Sequence, residues 1–157
     1  MLKLTLLRHA KSSWAYPELD DFLRPLNRRG YRQGQRLAEG FPTDVDAIWC
    51  SPAVRAYTTA KCILRDRPEL GDKLVLTSSI YEASAEQLIQ ILKGGGTLKH
   101  IALLGHNPAL EVLACYLTDS SVNLKTAHNI LLNLNIDDWA QVSAGCAEPV
   151  SIWRPEE

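Results

Sequence analysis

The sequence has neither a long apolar run nor an excess of charge of either sign. Its most apolar stretch near the amino terminus, residues 4–7, is too short for the core of a signal peptide and far below the roughly 20 residues of a membrane span. The 17 Lys and Arg residues nearly balance the 18 Asp and Glu residues, so no overall field attracts nucleic acid or an anionic membrane. We therefore expect a cytoplasmic protein with neither as its main partner, and any anion site must be local.

Cysteine is scarce and widely spaced. None of Cys50, Cys62, Cys115 and Cys146 lies two to four residues from another, a spacing that zinc ribbons and redox pairs require. Cys50 closes a predicted strand, whereas Cys62 and Cys115 fall within predicted helices. We expect reduced, structural thiols.

Internal repeats, low-complexity tracts and linkers are also missing from the 157 residues. A chain of this length buries roughly 70% of its unfolded surface, which is enough for a substantial core. The segments 66–72 and 94–96 are typical of surface turns. We expect one domain over residues 1–157.

Short apolar runs alternate along the chain with segments of helical periodicity. Strands are predicted at residues 3–7, 46–50, 73–77, 101–104, 129–134 and 150–153, and helices at about 28–39, 53–65, 85–93 and 109–117. Ser84 and Gln87 form a capping-box pattern before the third helix. The alternation predicts an α/β fold with three layers, α/β/α, in which a mostly parallel central sheet carries an antiparallel edge strand.

Arginine and histidine follow three of the predicted strands. Arg8 and His9 end the first strand, Arg55 lies shortly after the second, and His106 follows the fourth. Ligands of open α/β sheets bind beyond the carboxyl ends of the strands, so these side chains are expected at one edge. Ser51-Pro52 and Asn107-Pro108 are suited to begin helices there, which adds partial positive charge. Such a set predicts a phosphate pocket.

The two histidines point from binding to reaction. A neutral imidazole is a competent nucleophile, and a transferred phosphoryl group needs positive groups around its oxygens. His9 is the candidate nucleophile, while Arg8, Arg55 and His106 are expected to hold the charge. With these cations in place the chemistry requires no metal and no cofactor.

Several motifs together resemble a known family. The stretches LRHAKSSW, RPLNRRG, SPAVRA, YEAS and GHNPALE are similar, in order and over nearly the whole chain, to the histidine phosphatase superfamily with its phosphoglycerate-mutase-like fold, and within it to the short SixA-type phosphohistidine phosphatases. The resemblance implies a phosphohistidine intermediate on His9, with Arg8, Arg55 and His106 as the phosphate pocket.

Glu82 of the YEAS motif matches the carboxylate that donates a proton in the wider superfamily. Imidazole, with a pKa near 6.5, is a far better leaving group than an alkoxide, so a phosphohistidine substrate tolerates a weak acid. The alternative for Glu82 is a carboxylate that simply favours the helix starting after Ser84.

Further candidates surround the predicted pocket. Lys11 and Arg24 are candidates for binding the carrier of the leaving group, and Ser12 and Asn107 for contacting phosphate or substrate. His128 precedes a strand that would begin at the active edge if it is antiparallel, so it is a candidate for substrate contact.

The leading hypothesis is a metal-independent phosphatase acting on phosphohistidine in a protein of the histidine-containing phosphotransfer type. A phosphatase for small phosphoesters, such as sugar phosphates or nucleotides, is the main alternative and would need Glu82 as an acid. A third alternative, a module that binds a phosphoprotein without turnover, is disfavoured by the presence of His9.

Overall fold

The computed structural model of the protein describes residues 1–156 and contains a six-stranded mixed sheet. The strands are β1 (Leu2–Arg8), β2 (Ala47–Cys50), β3 (Leu74–Leu76), β4 (His100–Gly105), β5 (Asn129–Leu134) and β6 (Ala147–Trp153). Their order is β3-β2-β4-β1-β5-β6. The first four strands pair in parallel, whereas β5 is antiparallel to both β1 and β6. The predicted mostly parallel sheet with an antiparallel edge region is confirmed.

Five α-helices connect the strands. They are α1 (Arg28–Gly34), α2 (Leu37–Gly40), α3 (Val54–Asp66), α4 (Ala85–Leu92) and α5 (Ala109–Thr118). Short 3₁₀ turns lie at Asp21–Leu23, Pro68–Lys73, Ser78–Ile80 and Trp139–Gln141. None of the helices within residues 1–156 has the length and apolar character needed to cross a membrane.

The predictions for α3, α4 and α5 are correct to within one residue at each end, and the capping box of Ser84 and Gln87 is present. The single helix predicted over 28–39 is wrong, because the structure has two helices there. The Arg36 amide donates to the carbonyl of Gln33, three residues back. This tighter bond ends the α-helical ladder of α1.

Both faces of the sheet are buried, which accounts for the apolar strands. In β4, Ile101 and Leu103 join a core cluster with α4 and α5, whereas Ala102 and Leu104 join a second cluster with α2 and α3. Successive side chains of a strand point to opposite faces, so one strand serves two cores. This arrangement confirms the three-layer α/β/α prediction.

The strand register brings the ends of β1, β2 and β4 to one edge. Arg8 pairs with Gly105, and Cys50 pairs with Leu104. The chain continues in step beyond these pairs, because the His9 amide donates to the Gly105 carbonyl at 3.2 Å. The antiparallel β5 begins at the same edge, where the Arg8 amide donates to the His128 carbonyl at 3.1 Å.

The four cysteines are free thiols, as expected. Burial raises the pKa of Cys50 to about 12, which makes its thiolate inaccessible at neutral pH. Cys62 packs against Gly34 so closely that a Cβ at position 34 would lie 2.6 Å from its Sγ. Cys50 and Cys62 are therefore packing residues.

Candidate active site

His9, directly after β1, is a buried histidine with a defined tautomer. Its Nδ1 lies 2.7 Å from the carbonyl oxygen of Ala10, and a carbonyl only accepts, so Nδ1 carries the proton and Nε2 keeps its lone pair. The pKa of His9 is lowered to about 3, chiefly by burial and in addition by His106, Arg55 and Arg8, against the Ala10 bond that favours protonation. His9 is therefore neutral at pH 7, the form that a nucleophile needs.

His106, directly after β4, faces His9 with ring centroids 5.2 Å apart. Its Nε2 lies 2.8 Å from the Oγ of Ser51. This hydroxyl is fully buried, so its own proton needs an acceptor. Of its two described partners, the Ala53 amide donates to it and only Nε2 can accept, so the network has the hydroxyl donating to Nε2. Burial, followed by the charge of Arg55, lowers the pKa of His106 to about 4. The ring is thus neutral with a proton on Nδ1, a buried atom that has no hydrogen-bond partner within residues 1–156.

Two arginines flank the histidines. Arg8 donates through one terminal nitrogen to the carbonyl of Leu124 at 3.1 Å, and Arg55 donates to the carbonyl and carboxylate of Asp21 at 2.7 and 3.0 Å. The Nε atoms of both arginines are buried, and neither has a partner among the described residues. Burial lowers the pKa of Arg8, but a guanidinium stays charged at pH 7. The remaining donors suit the oxygens of a phosphoryl group.

Asp21 is a part of this site that the sequence analysis missed. Its Oδ1 accepts from Arg24 at 3.1 Å, and its Oδ2 accepts from Arg55 at 3.0 Å and from the Tyr81 hydroxyl at 2.7 Å. These bonds, that of Tyr81 first, lower the pKa of Asp21 to about 2. The only sequence signal was an Asp three residues before Arg24, a spacing that is also common in surface loops.

Arg24 and Ser12 lie beside the site, but the contacts that the structure gives them fasten a loop. Arg24 is buried and donates to Ser12 Oγ and to the Ser13 carbonyl, both at 2.9 Å. The Trp14 ring covers its guanidinium at 3.6 Å. This loop carries Asp21. Lys11 lies at its start, where its amide donates to the Gln33 side chain at 2.9 Å.

The predicted helix caps of Ser51 and Asn107 are wrong. The N-cap of α3 is Ala53 and that of α5 is Pro108, and neither cap uses a side chain. Both polar side chains are engaged elsewhere: Ser51 holds His106, and Asn107 donates to the Leu124 carbonyl at 2.7 Å. These two side chains therefore hold parts of the candidate site together and do not cap the helices.

His128 lies at the active edge, as expected for the start of an antiparallel strand. Its side chain, however, lines a separate depression of about 260 Å³, together with Lys125 and Arg154. His106 lines a different pocket, described below. The structure therefore brings His128 to the right edge without placing it against the two histidines.

Glu82 is exposed and lies with its backbone in the left-handed region, at φ 61°. A non-glycine residue there costs on the order of 1–3 kcal/mol, and such residues cluster at functional sites. Glu82 and His106 line one cleft. Ser84 and Gln87 supply the hydrogen bonds of the α4 N-cap, and the alternative role of Glu82, a charge that favours this helix N-terminus, stays a prediction.

Within residues 1–156, no three His, Cys, Asp or Glu side chains are grouped so as to hold a metal ion. What the edge of the sheet does gather is a free imidazole lone pair and several cationic donors. This set is chemically able to bind a phosphoryl dianion and to attack its phosphorus.

Sequence comparison places the chain in a known family. A profile of the histidine phosphatase superfamily (branch 1) matches residues 4–87. An uncharacterized chloroplastic protein of Arabidopsis thaliana is 30% identical over 156 residues, covering 90% of this chain and 71% of the plant protein. The chain therefore belongs to the histidine phosphatase superfamily.

Solved structures share its fold. A protein of Agrobacterium tumefaciens named SixA and described as a phosphohistidine phosphatase superposes with a TM-score of 0.82 at 22% identity, over 98% of both chains. A mycobacterial glucosyl-3-phosphoglycerate phosphatase superposes with a TM-score of 0.70 at 13% identity, over 99% of both chains. At these identities the likeness concerns the fold.

We predict that Asp21→Asn lowers kcat for p-nitrophenyl phosphate by about 10-fold, because a charge-assisted hydrogen bond that orients Arg55 is worth about 1.5–3 kcal/mol. KM should not rise, since removing a negative charge strengthens the attraction for the phosphate dianion. Steady-state kinetics measures both, and Asp20→Asn in the same loop is the matched control.

A double-mutant cycle tests whether Asp21 acts through Arg55. In an Arg55→Ala background, Asp21→Asn should cause little further loss of kcat, because the side chain that it orients is gone. Losses that multiply independently would contradict this positioning role, and a gain in kcat of the single variant would indicate that Asp21 blocks the site.

We also predict an unusually low acid limb in the pH profile. The ratio kcat/KM reports the free enzyme, in which the pKa values of His9 and His106 are about 3 and 4. The nucleophilic lone pair of His9 is lost only when the pH falls to the low pKa of this ring. After the profile is corrected for the ionisation of the substrate, kcat/KM should therefore fall with an apparent pKa below about 5.

An apparent pKa near 6.5 that survives the correction would contradict the buried neutral state of His9. Because these two pKa values are depressed on folding, stability is lost as the pH falls from about 6.5 toward the folded-state values. Circular dichroism at each pH therefore has to show that the enzyme is still folded.

Proposed function

We propose that the protein is a metal-independent phosphatase that removes the phosphoryl group from phosphohistidine in a protein substrate. The observation that carries the proposal is the buried, neutral His9, whose Nε2 lone pair is free beside the guanidinium groups of Arg8 and Arg55. An uncharged imidazole buried among cations is typical of a functional site.

The reaction proceeds in two displacements. Nε2 of His9 attacks phosphorus, and the P–N bond of the substrate breaks with its electron pair leaving on the substrate ring, which is protonated on its other nitrogen and so departs as neutral imidazole. Water then attacks the phosphorus of the phosphoenzyme, the Nε2–P bond breaks, and phosphate leaves as His9 recovers its lone pair. Arg8, Arg55 and the Nδ1 proton of His106 stabilise the charge on the phosphoryl oxygens.

Phosphohistidine is favoured over a phosphoester by its leaving group and by access. The departing imidazole needs little help from an acid, and the fold is similar to that of a SixA protein. Several residues around the site are exposed, among them Asp21, Glu82 and Pro108. A folded partner of the histidine-containing phosphotransfer type can therefore present its phosphohistidine to the site.

Hydrolysis of a small phosphoester is the second candidate. It is supported by the fold of the mycobacterial glucosyl-3-phosphoglycerate phosphatase and by the position of Glu82 on a cleft shared with His106. An alkoxide leaving group needs a proton, so this function depends on Glu82 as general acid.

We predict that His9→Ala abolishes phosphate release from a phosphorylated histidine-containing phosphotransfer protein. Wild-type enzyme quenched during turnover should carry an alkali-stable, acid-labile phosphoryl group, which the variant lacks. Release at the wild-type rate by His9→Ala would contradict the mechanism. Wild-type enzyme that binds the phosphoprotein without releasing phosphate would point to a binding module.

The variant Glu82→Gln distinguishes the two candidate enzymatic functions. We expect a loss of kcat of about 10²-fold or more on an alkyl phosphate, where a general acid is required, and little loss on phosphohistidine. Glu86→Gln, at an exposed carboxylate in the first turn of α4, is the control. Equally large losses on both substrates would contradict the preference for phosphohistidine.

A further inference from the structure

A cleft with a volume of about 370 Å³ lies between α4 and α5, beside His106. Aliphatic side chains form most of its walls, among them Ile80, Ala83, Leu88, Ala109 and Val112. Val112 remains 53% exposed at the surface of α5. The volume is at the lower end of the range for ligand sites, about 300–1,000 Å³.

The cleft is continuous with the candidate active site, because His106 belongs to both. Its polar lining is formed by Glu82, Ser84, His106 and Asn107. His106 Nδ1 and Asn107 Oδ1 are buried atoms that lack hydrogen-bond partners within residues 1–156. A group that fills the cleft therefore extends directly from a phosphoryl group held by the two histidines.

The chemistry of the lining defines what the cleft accepts. Among the described residues that line it, Glu82 is the one charged side chain, and neither Lys nor Arg contributes. A second phosphate would be repelled by Glu82 and would find no cation. The hydroxyl groups of a sugar would lose water against the aliphatic walls and would find partners only at Glu82, Ser84, His106 and Asn107 among the described residues that line the cleft. An apolar group gains from burial there.

We propose that this cleft binds an apolar side chain of the protein substrate, at a fixed distance in sequence from its phosphohistidine. The inference rests on the proposed phosphohistidine phosphatase function and adds a determinant of substrate choice. The phosphoryl group is held by charge, and the neighbouring apolar side chain selects which phosphohistidine is hydrolysed.

Peptides phosphorylated on a single histidine test this proposal. In an alanine background, leucine is placed in turn at each position from four residues before to four residues after the phosphohistidine. Wild-type enzyme should show a gain in kcat/KM of about 10-fold or more for leucine over alanine at one or two positions, the discrimination expected of an apolar pocket. Aspartate at those positions should reduce kcat/KM below the alanine value.

Val112→Trp closes the cleft from an exposed position, and we expect the ratio of leucine to alanine peptides to fall toward one in this variant. Val150→Trp, the same exchange at an exposed valine of β6, is the control and should keep the wild-type ratio. Because each ratio is taken within one enzyme, a general change in activity does not affect it.

The possible results distinguish failure of the cleft proposal from failure of the proposed function. Equal rates for all leucine positions, or a preference that persists in Val112→Trp, would overturn the cleft proposal while phosphohistidine hydrolysis stands. If wild-type enzyme hydrolyses neither these peptides nor phosphoramidate, the proposed function is wrong and the cleft proposal is wrong with it.

Discussion

The burial of an uncharged His9 among positive groups is the constraint on which the site depends. An exposed imidazole would be partly protonated near neutral pH, and a protonated ring has no lone pair to donate. Burial and the nearby cations disfavour the charged ring, and the Ala10 carbonyl fixes which nitrogen carries the proton. The same positive field that keeps His9 neutral would attract a phosphoryl dianion, so under the proposed mechanism one arrangement prepares both reactants.

Such a field requires that like charges be held near one another, and the structure shows how this is achieved. Arg8 is held by the carbonyl of Leu124 and Arg55 by Asp21, each through terminal nitrogens. The Nε atoms stay unengaged and buried. Protein acceptors on the terminal nitrogens thus offset part of the repulsion and leave the Nε atoms without a protein acceptor, as the proposed binding of substrate oxygens requires.

Asp21 also joins three parts of the chain that are distant in sequence. Its carboxylate links the loop containing Arg24, the first turn of α3 at Arg55, and Tyr81 directly before Glu82. Tyr81 in turn packs its ring edge-on against His106, with centroids 5.7 Å apart. A change in any of these segments is therefore transmitted to the position of Arg55.

The sequence predicted those features that local patterns and the rule for strand ends determine. The helices α3, α4 and α5 could be found because each has a periodic apolar face, and His9, Arg55 and His106 could be grouped because parallel strands end at one edge. Asp21 could not be found, since its partner Arg55 lies 34 residues away and pairs with it only in the folded chain. The caps assigned to Ser51 and Asn107 failed for the same reason: tertiary partners outcompete the local helix end.

Selectivity in such an enzyme has to come from outside the phosphate pocket, because every substrate carries the same phosphoryl group. Groups that bind phosphate equally in all substrates lower KM without discriminating among them. Beside His106 the structure has a largely aliphatic cleft that Glu82 also lines. Its carboxylate disfavours an anionic group in the cleft. Under the proposed function, discrimination among protein substrates would therefore rest on the same residues that would receive an apolar side chain.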